Sequence, residues 1–125
     1  MIRSIALLFT AVVVLSLGGC YYDTEETLYP PTGVCDTSNV TFSGTIKPIV
    51  DTYCATPGCH DAAAASAGYD LTTYAGVWAS VDNGSFLGSI DYDPNYSKMP
   101  KNSNQLDKCN ITKIKTWINA GALNN

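Results

Sequence analysis

Two cysteines and the one histidine of this chain lie within a single run, Cys54-Ala55-Thr56-Pro57-Gly58-Cys59-His60. The second cysteine directly precedes the histidine, and four residues separate the two cysteines. Thiolates and imidazoles are strong nucleophiles and metal ligands, so their concentration in one short segment favours a chemical role for it. The fold must therefore present this segment at the edge of a site.

A cysteine followed at once by histidine, with another cysteine upstream, is the arrangement that attaches a c-type haem. The two thiolates add to the vinyl groups on one edge of the porphyrin, and the histidine becomes the proximal iron ligand. The usual pattern is C-x-x-C-H, and the spacing here is longer. Pro57-Gly58 predicts that the extra residues form a tight turn that bulges outward. The alternative is a structural disulfide between Cys54 and Cys59, with His60 on the surface.

Residues 1–19 have the pattern of a lipoprotein signal peptide. A basic Arg3 precedes an almost unbroken apolar run, which ends in the small-residue box Leu17-Gly18-Gly19-Cys20. This box resembles the lipobox of bacterial lipoproteins, and it predicts cleavage before Cys20 and lipidation of that cysteine. The apolar run is shorter than the roughly 20 residues of a membrane-spanning helix. We therefore expect a chain anchored by lipid to a bacterial membrane. The alternatives are a chain that is secreted without lipid and one that retains the apolar run as an uncleaved membrane anchor.

Residues 20–38 are predicted to be a flexible tether, and residues 39–125 one small domain. The tether is acidic and rich in turn formers, and it has no apolar periodicity. An acidic stretch after a lipidated cysteine resembles the signal that sends some lipoproteins to the outer cell surface, but an ordinary solvated linker has the same composition. The localisation therefore stays open between the periplasm and the outer surface.

The charge balance bears on partners. Without the signal peptide, six basic residues stand against eleven acidic ones, a formal charge of −5, and no basic cluster is present. Nucleic acid is therefore an unsuitable partner.

The remaining cysteines form one even pair. If Cys20 carries lipid and the motif carries haem, Cys35 and Cys109 are left over. An exported chain reaches an oxidising compartment, so we expect these two to form a disulfide between the start of the domain and its last helix. The alternative is two reduced, buried cysteines.

Apolar periodicity predicts three helices. The first runs from about Gly44 to Asp51 with Ser43 as its N-cap, and the second follows an N-cap at Thr72 or Thr73 and ends at Asn83-Gly84. The third runs from Leu106 to Gly121 with Asp107 as its N-cap and Gly121 as its left-handed stop. The apolar faces are Ile46, Ile49, Val50 and Tyr53; then Tyr74, Val77, Trp78 and Val81; then Ile111, Ile114, Trp117 and Ile118.

The sequence predicts the conformation of only one of the two stretches between the second and third helices. The pattern of Ser85 to Ile90 does not settle its conformation, and Asp91 to Gln105 is predicted to be loop. Tyr74 and Trp78, in the second helix, either wall a ligand or fill core, and core is the expected role of each.

Met99 is the one methionine left after the signal peptide, and it lies in the polar segment Ser97-Lys98-Met99-Pro100-Lys101. A polar loop is an unusual place for a core methionine. Its soft, neutral sulfur suits haem iron, and Pro100 stiffens the loop that would hold it. We therefore predict Met99 as the distal ligand.

The domain resembles a class I-type monohaem cytochrome c domain of the kind carried on bacterial lipoproteins. The resemblance rests on four segments, namely Ile46-Lys47-Pro48-Ile49, Cys54 with Cys59-His60, Met99-Pro100, and the closing Ile114-Lys115-Thr116-Trp117-Ile118-Asn119-Ala120-Gly121-Ala122. It implies an all-α fold of three to four helices around one covalently bound haem c.

The resemblance also implies site roles and a function. Cys54 and Cys59 would be the thioether attachments, and His60 and Met99 the iron ligands. The implied role is single-electron transfer between redox proteins, without a small-molecule substrate and without enzymatic activity.

Two other functions compete with this one. In a haem sensor or redox enzyme, Met99 would leave the iron five-coordinate. In a haem-free surface lipoprotein, two disulfides would staple a domain that acts in binding or adhesion.

Overall fold

A computed structural model describes residues 35–125 of the protein. The predicted signal peptide, the predicted lipidation site Cys20 and most of the predicted tether lie outside the described residues. Across residues 35–125 the regular structure is helical and no β-strand is formed. After a π-helical turn at Phe42–Ile46, the α-helices are α1 (Lys47–Tyr53), α2 (Tyr74–Asp82), α3 (Ser85–Ile90) and α4 (Lys108–Asn119), with a short 3-10 turn at Ser66–Gly68 between α1 and α2. The all-α class expected from the sequence is confirmed for this part of the chain.

The first helical segment begins earlier than its periodicity predicted. Thr41, rather than Ser43, is the N-cap residue, and its hydroxyl accepts a hydrogen bond from the Gly44 amide at 3.1 Å. Thr41 is extended, whereas Ser43 already lies within the helical turn, so the hydroxyl of Thr41 is the one that can reach an unpaired amide. Pro48 lies in the first turn of α1, where its missing N–H costs little.

Helices α2 and α3 are separated at the predicted position. Thr73 caps α2 by accepting from the Gly76 amide at 3.2 Å. Gly84 then takes a left-handed conformation with φ of 78°, which a residue without a β-carbon adopts without strain. The segment that the sequence did not settle is α3, and it buries Phe86 and Ile90.

Helix α4 has the predicted N-cap and glycine stop, although it spans Lys108–Asn119 rather than the predicted Leu106 to Gly121. The Asp107 carboxylate accepts from the Asn110 amide at 2.9 Å, and Gly121 has φ of 95° after the last turn. Trp117 is 1% exposed, and its indole nitrogen donates to the Leu123 carbonyl at 2.9 Å. This hydrogen bond satisfies the one polar atom of the tryptophan side chain inside the core.

The core joins the two ends of the domain. The Phe42 ring lies 5.6 Å from the Trp117 ring and 5.0 Å, edge to face, from the Tyr74 ring. Tyr74 therefore takes the core role expected for it, whereas Trp78 is 43% exposed. The buried apolar residues are Phe42, Ile46, Ile49, Val50, Leu71, Val77, Phe86, Ile90, Leu106, Ile114, Trp117 and Ala122.

Cys35 and Cys109 form the expected disulfide, with their Cα atoms 5.3 Å apart. The bond joins the start of the described chain to the first turn of α4 across a sequence separation of 74 residues. None of the helices within residues 35–125 has the length and apolar character needed to cross a membrane.

We expect the Cys35→Ser/Cys109→Ser double variant to lower the free energy of unfolding by about 2–4 kcal/mol, because the unfolded chain regains the freedom of a long closed loop. Urea unfolding followed by circular dichroism measures this loss. Reduction of the wild-type protein serves as the matched control and should give the same loss. Equal stability of the oxidised and reduced proteins would contradict the prediction.

Candidate functional site

A cavity of about 820 Å³ opens between the end of α1, helix α3 and the loop that follows α3. Its volume falls within the range of cofactor and small-molecule sites in proteins. All four residues singled out by the sequence line it, namely Cys54, Cys59, His60 and Met99. The fold thus brings together residues that are 45 positions apart in the chain, from Cys54 to Met99.

The segment from Cys54 to His60 is closed on itself by backbone hydrogen bonds. The His60 amide donates to the Cys54 carbonyl at 3.2 Å, and the Cys59 amide donates to the Thr56 carbonyl at 3.0 Å. Gly58 has φ of 80°, and both Pro57 and Gly58 are exposed. The long spacing is therefore accommodated by the turn that Pro57-Gly58 predicted, although Gly58 itself lines the cavity.

His60 is half-buried and fixed at both its backbone and its ring. Its carbonyl accepts from the Leu71 amide at 2.9 Å, and its Nδ1 lies 3.2 Å from the Tyr69 carbonyl oxygen. A carbonyl can only accept, so this hydrogen bond places the proton on Nδ1. Nε2 then keeps its lone pair and is the ring atom available as a metal ligand.

The two thiols of the motif are both free, and they differ in environment. Cys54 is half-buried at the end of α1, whereas Cys59 is exposed. Burial, reinforced by the nearby Cys59, raises the pKa of the Cys54 thiol to about 11. The disulfide between Cys54 and Cys59, which the sequence left open, is not formed here.

Met99 lies on the cavity wall and is not a member of the hydrophobic core. Its amide donates to the Ser89 carbonyl at 3.1 Å, which ties the loop after α3 back to that helix. The Met99 side chain is half-buried. Met99 is therefore part of the cavity wall, and its role as an iron ligand stays a prediction.

The remaining cavity-lining residues are mostly apolar or carry hydroxyl groups. Leu71, Phe86 and Ile90 line the cavity and also belong to the core. Among the described residues that line it none is Asp or Glu, and Lys101 is the one Lys or Arg. An apolar ligand with anionic substituents would therefore meet no repelling carboxylate on these walls.

Tyr69 is a site residue that sequence analysis missed. Besides the carbonyl that holds His60, it contributes a cavity-lining phenol, whose oxygen accepts from Asn83 at 2.7 Å and from Ser85 at 3.3 Å. Hydrogen bonds from Ser85 and Asn83 lower the pKa of Tyr69. No spacing in the sequence marks this residue, since its contacts lie across a turn and in a different helix.

Direct metal binding by a cluster is not a feature of this site. Within residues 35–125, no three histidine, cysteine, aspartate or glutamate side chains converge where they could hold a metal ion. Haem iron does not need such a cluster, because the porphyrin itself supplies the equatorial ligands.

Three comparisons, with protein-family models, with curated proteins and with solved structures, match nothing to this chain.

The contrast between the two thiols predicts different reactivity in protein produced without haem. The thiolate is the reactive form, so at about pH 8 we expect iodoacetamide to modify Cys59 faster than Cys54 by roughly tenfold or more. The rate at Cys54 should rise as the pH approaches its pKa of about 11. Peptide mass spectrometry after timed quenching measures both rates.

Denatured protein provides the control, because unfolding removes the burial of Cys54 and should bring the two rates together. Equal rates in the folded protein would show that the Cys54 thiol is not protected by its surroundings.

Proposed function

We propose that this protein is a membrane-tethered monohaem c-type cytochrome that carries single electrons between redox proteins. The observation that carries the proposal is the convergence of Cys54, Cys59, His60 and Met99 on one cavity of about 820 Å³. Two thiols, an imidazole and a thioether are the groups that a covalently bound haem with histidine and methionine ligands uses. A haem-free lipoprotein leaves this convergence unexplained, whereas a five-coordinate haem protein would use the same cavity without a bond from Met99.

The residues present fit a haem. Cys54 and Cys59 would attach it from one closed turn, His60 would bind the iron through Nε2, and Met99 would bind it through sulfur. Once bound, the iron of such a group accepts and releases one electron as it alternates between its ferric and ferrous states.

The chain's own residues prepare the proximal side. The Tyr69 carbonyl fixes the tautomer of His60 and holds its ring in one orientation, which keeps the ligand lone pair directed away from that hydrogen bond. The amide of Leu71 restrains the backbone of His60 in the same way. A ligand held before the metal arrives needs little rearrangement when the oxidation state changes.

The chain's residues also define what the site excludes. With His60 and Met99 both bound, no coordination position stays open to a substrate, which favours a carrier over an enzyme. Leu71, Phe86 and Ile90 would give a haem an apolar wall on one part of the cavity. Such a wall and a methionine ligand both favour a higher reduction potential than two histidines would give.

The tether sets where the electrons are delivered. Lipid on Cys20 would hold the domain at a bacterial membrane, and residues 20–38 would let it reach partner proteins. We propose a periplasmic or outer-surface location, with other redox proteins as electron donor and acceptor.

Expression in a host with the cytochrome c maturation system tests the proposal. The pyridine haemochrome spectrum of the purified, denatured protein should show the band of a haem with two thioether bonds. Cys54→Ser and Cys59→Ser should each shift the band to the position of a single thioether, because one vinyl group remains free. The Cys35→Ser/Cys109→Ser double variant is the matched cysteine control and should keep the wild-type band.

A wild-type protein without haem would end the cytochrome interpretation and favour the haem-free lipoprotein.

Ligation by Met99 predicts that the reduced wild-type protein does not bind carbon monoxide. Met99→Leu keeps a similar volume but removes the sulfur, so its absorption spectrum should change on addition of the gas. Lys98→Ala, a change in the neighbouring exposed residue, is the control and should behave like the wild type. Binding of carbon monoxide by the wild type would instead support a five-coordinate sensor or enzyme.

A further inference from the structure

A tyrosine from the loop after α3 lies across a glycine groove on that helix. Gly84 caps α3 and Gly88 follows it by four residues, so the two share one face of the helix. A β-carbon on Gly88 would lie 2.7 Å from Tyr96 Cγ and nearer still to Cδ2 and Cε2. A β-carbon on Gly84 would lie 3.3 Å from the Tyr96 hydroxyl oxygen. The ring thus occupies the space that ordinary side chains at these two positions would fill.

Backbone hydrogen bonds also join the loop that carries Tyr96 to helix α3. The Asp93 amide donates to the Gly88 carbonyl at 3.0 Å, and the Tyr96 amide donates to the Asp93 carbonyl at 3.0 Å. Three residues beyond the tyrosine, the Met99 amide donates to the Ser89 carbonyl at 3.1 Å. Two consecutive helix carbonyls therefore hold the loop on either side of Tyr96.

We propose that Tyr96, seated over Gly84 and Gly88, is the positioning residue that holds Met99 at the cavity. The role of Met99 as an iron ligand rests on the proposed function, whereas the clamp consists of contacts between the loop and α3. We call these residues, Gly84, Gly88 and Tyr96, the glycine–tyrosine clamp.

The burial pattern separates this role from a core role. Tyr96 is 38% exposed and does not belong to the hydrophobic core, so its removal spares the packing around Trp117. Both Tyr96 and Met99 line the cavity, so the clamp acts at the site itself. The short segment between them leaves Met99 little freedom once the ring and the Met99 amide are both fixed.

The ring, rather than the hydroxyl, makes the close approach to Gly88. Tyr96→Phe should therefore keep Met99 in place, whereas Tyr96→Ala should release it. Gly88→Ala should release it too, because the new methyl group and the ring cannot occupy the same space. Gly44→Ala is the matched glycine control. Its β-carbon would also be crowded, by Thr41 Oγ1 at 2.9 Å, but that contact lies in the first helical turn and not in this loop.

Two readouts test the clamp. In the oxidised, haem-loaded protein, the weak long-wavelength absorption band of a sulfur–iron bond reports ligation by Met99. This band should be lost in Tyr96→Ala and Gly88→Ala. It should be retained in Tyr96→Phe and Gly44→Ala. Hydrogen exchange of the Met99 amide, followed by NMR, needs no haem and should become faster by roughly tenfold or more in the first two variants only. The haemochrome spectrum should be the same in all four.

The outcomes distinguish the clamp from the cytochrome. A wild-type protein without haem refutes the proposed function, and Met99 amide exchange then decides the clamp by itself. If Tyr96→Ala keeps both the sulfur–iron band and the slow exchange, the clamp is refuted whatever the function. If Gly88→Ala does not fold, the Tyr96→Ala and Tyr96→Phe pair still decides, since neither variant introduces a clash.

Discussion

The hydrogen bond between His60 Nδ1 and the Tyr69 carbonyl oxygen orients the one imidazole that lines the cavity. It leaves the Nε2 lone pair unshared, so the availability of Nε2 depends on the backbone of a residue nine positions away. That backbone is held by its own neighbours. A β-carbon on Gly76 would overlap the Asp70 carbonyl, so the start of α2 packs directly against the segment that carries the acceptor.

The two sides of the cavity are held by different means. The cysteines and His60 lie on a turn closed by local hydrogen bonds, within a few residues of one another. Met99 lies on a loop whose position depends on Tyr96 and on the carbonyls of α3. Because Phe86 and Ile90 belong to both the core and the cavity wall, a group that fills the cavity would extend the core and stabilise the fold.

Much of the helical framework could be predicted because its signals are local. Thr73 and Asp107 are caps whose side chains reach amides three residues away, and Gly121 stops α4 through its own backbone freedom. The predictions were weaker where a choice depended on more than one turn. Ser43 was expected as the first cap, but Thr41 has the extended backbone that a cap needs, and Trp78 lies on the exposed side of its helix although its spacing suggested the apolar face.

The sequence by itself determined the chemistry that this protein carries: a Cys54, Cys59 and His60 motif, a lone Met99, and an even cysteine pair. The motif is specified within one turn and Met99 within one loop, whereas the cysteine pair follows from counting the cysteines of the whole chain. Only the tertiary structure decided that all four groups line one cavity, that Tyr69 orients His60, and that Tyr96 packs on Gly88. Those contacts join segments that are distant in the chain, and their formation depends on the packing of whole helices.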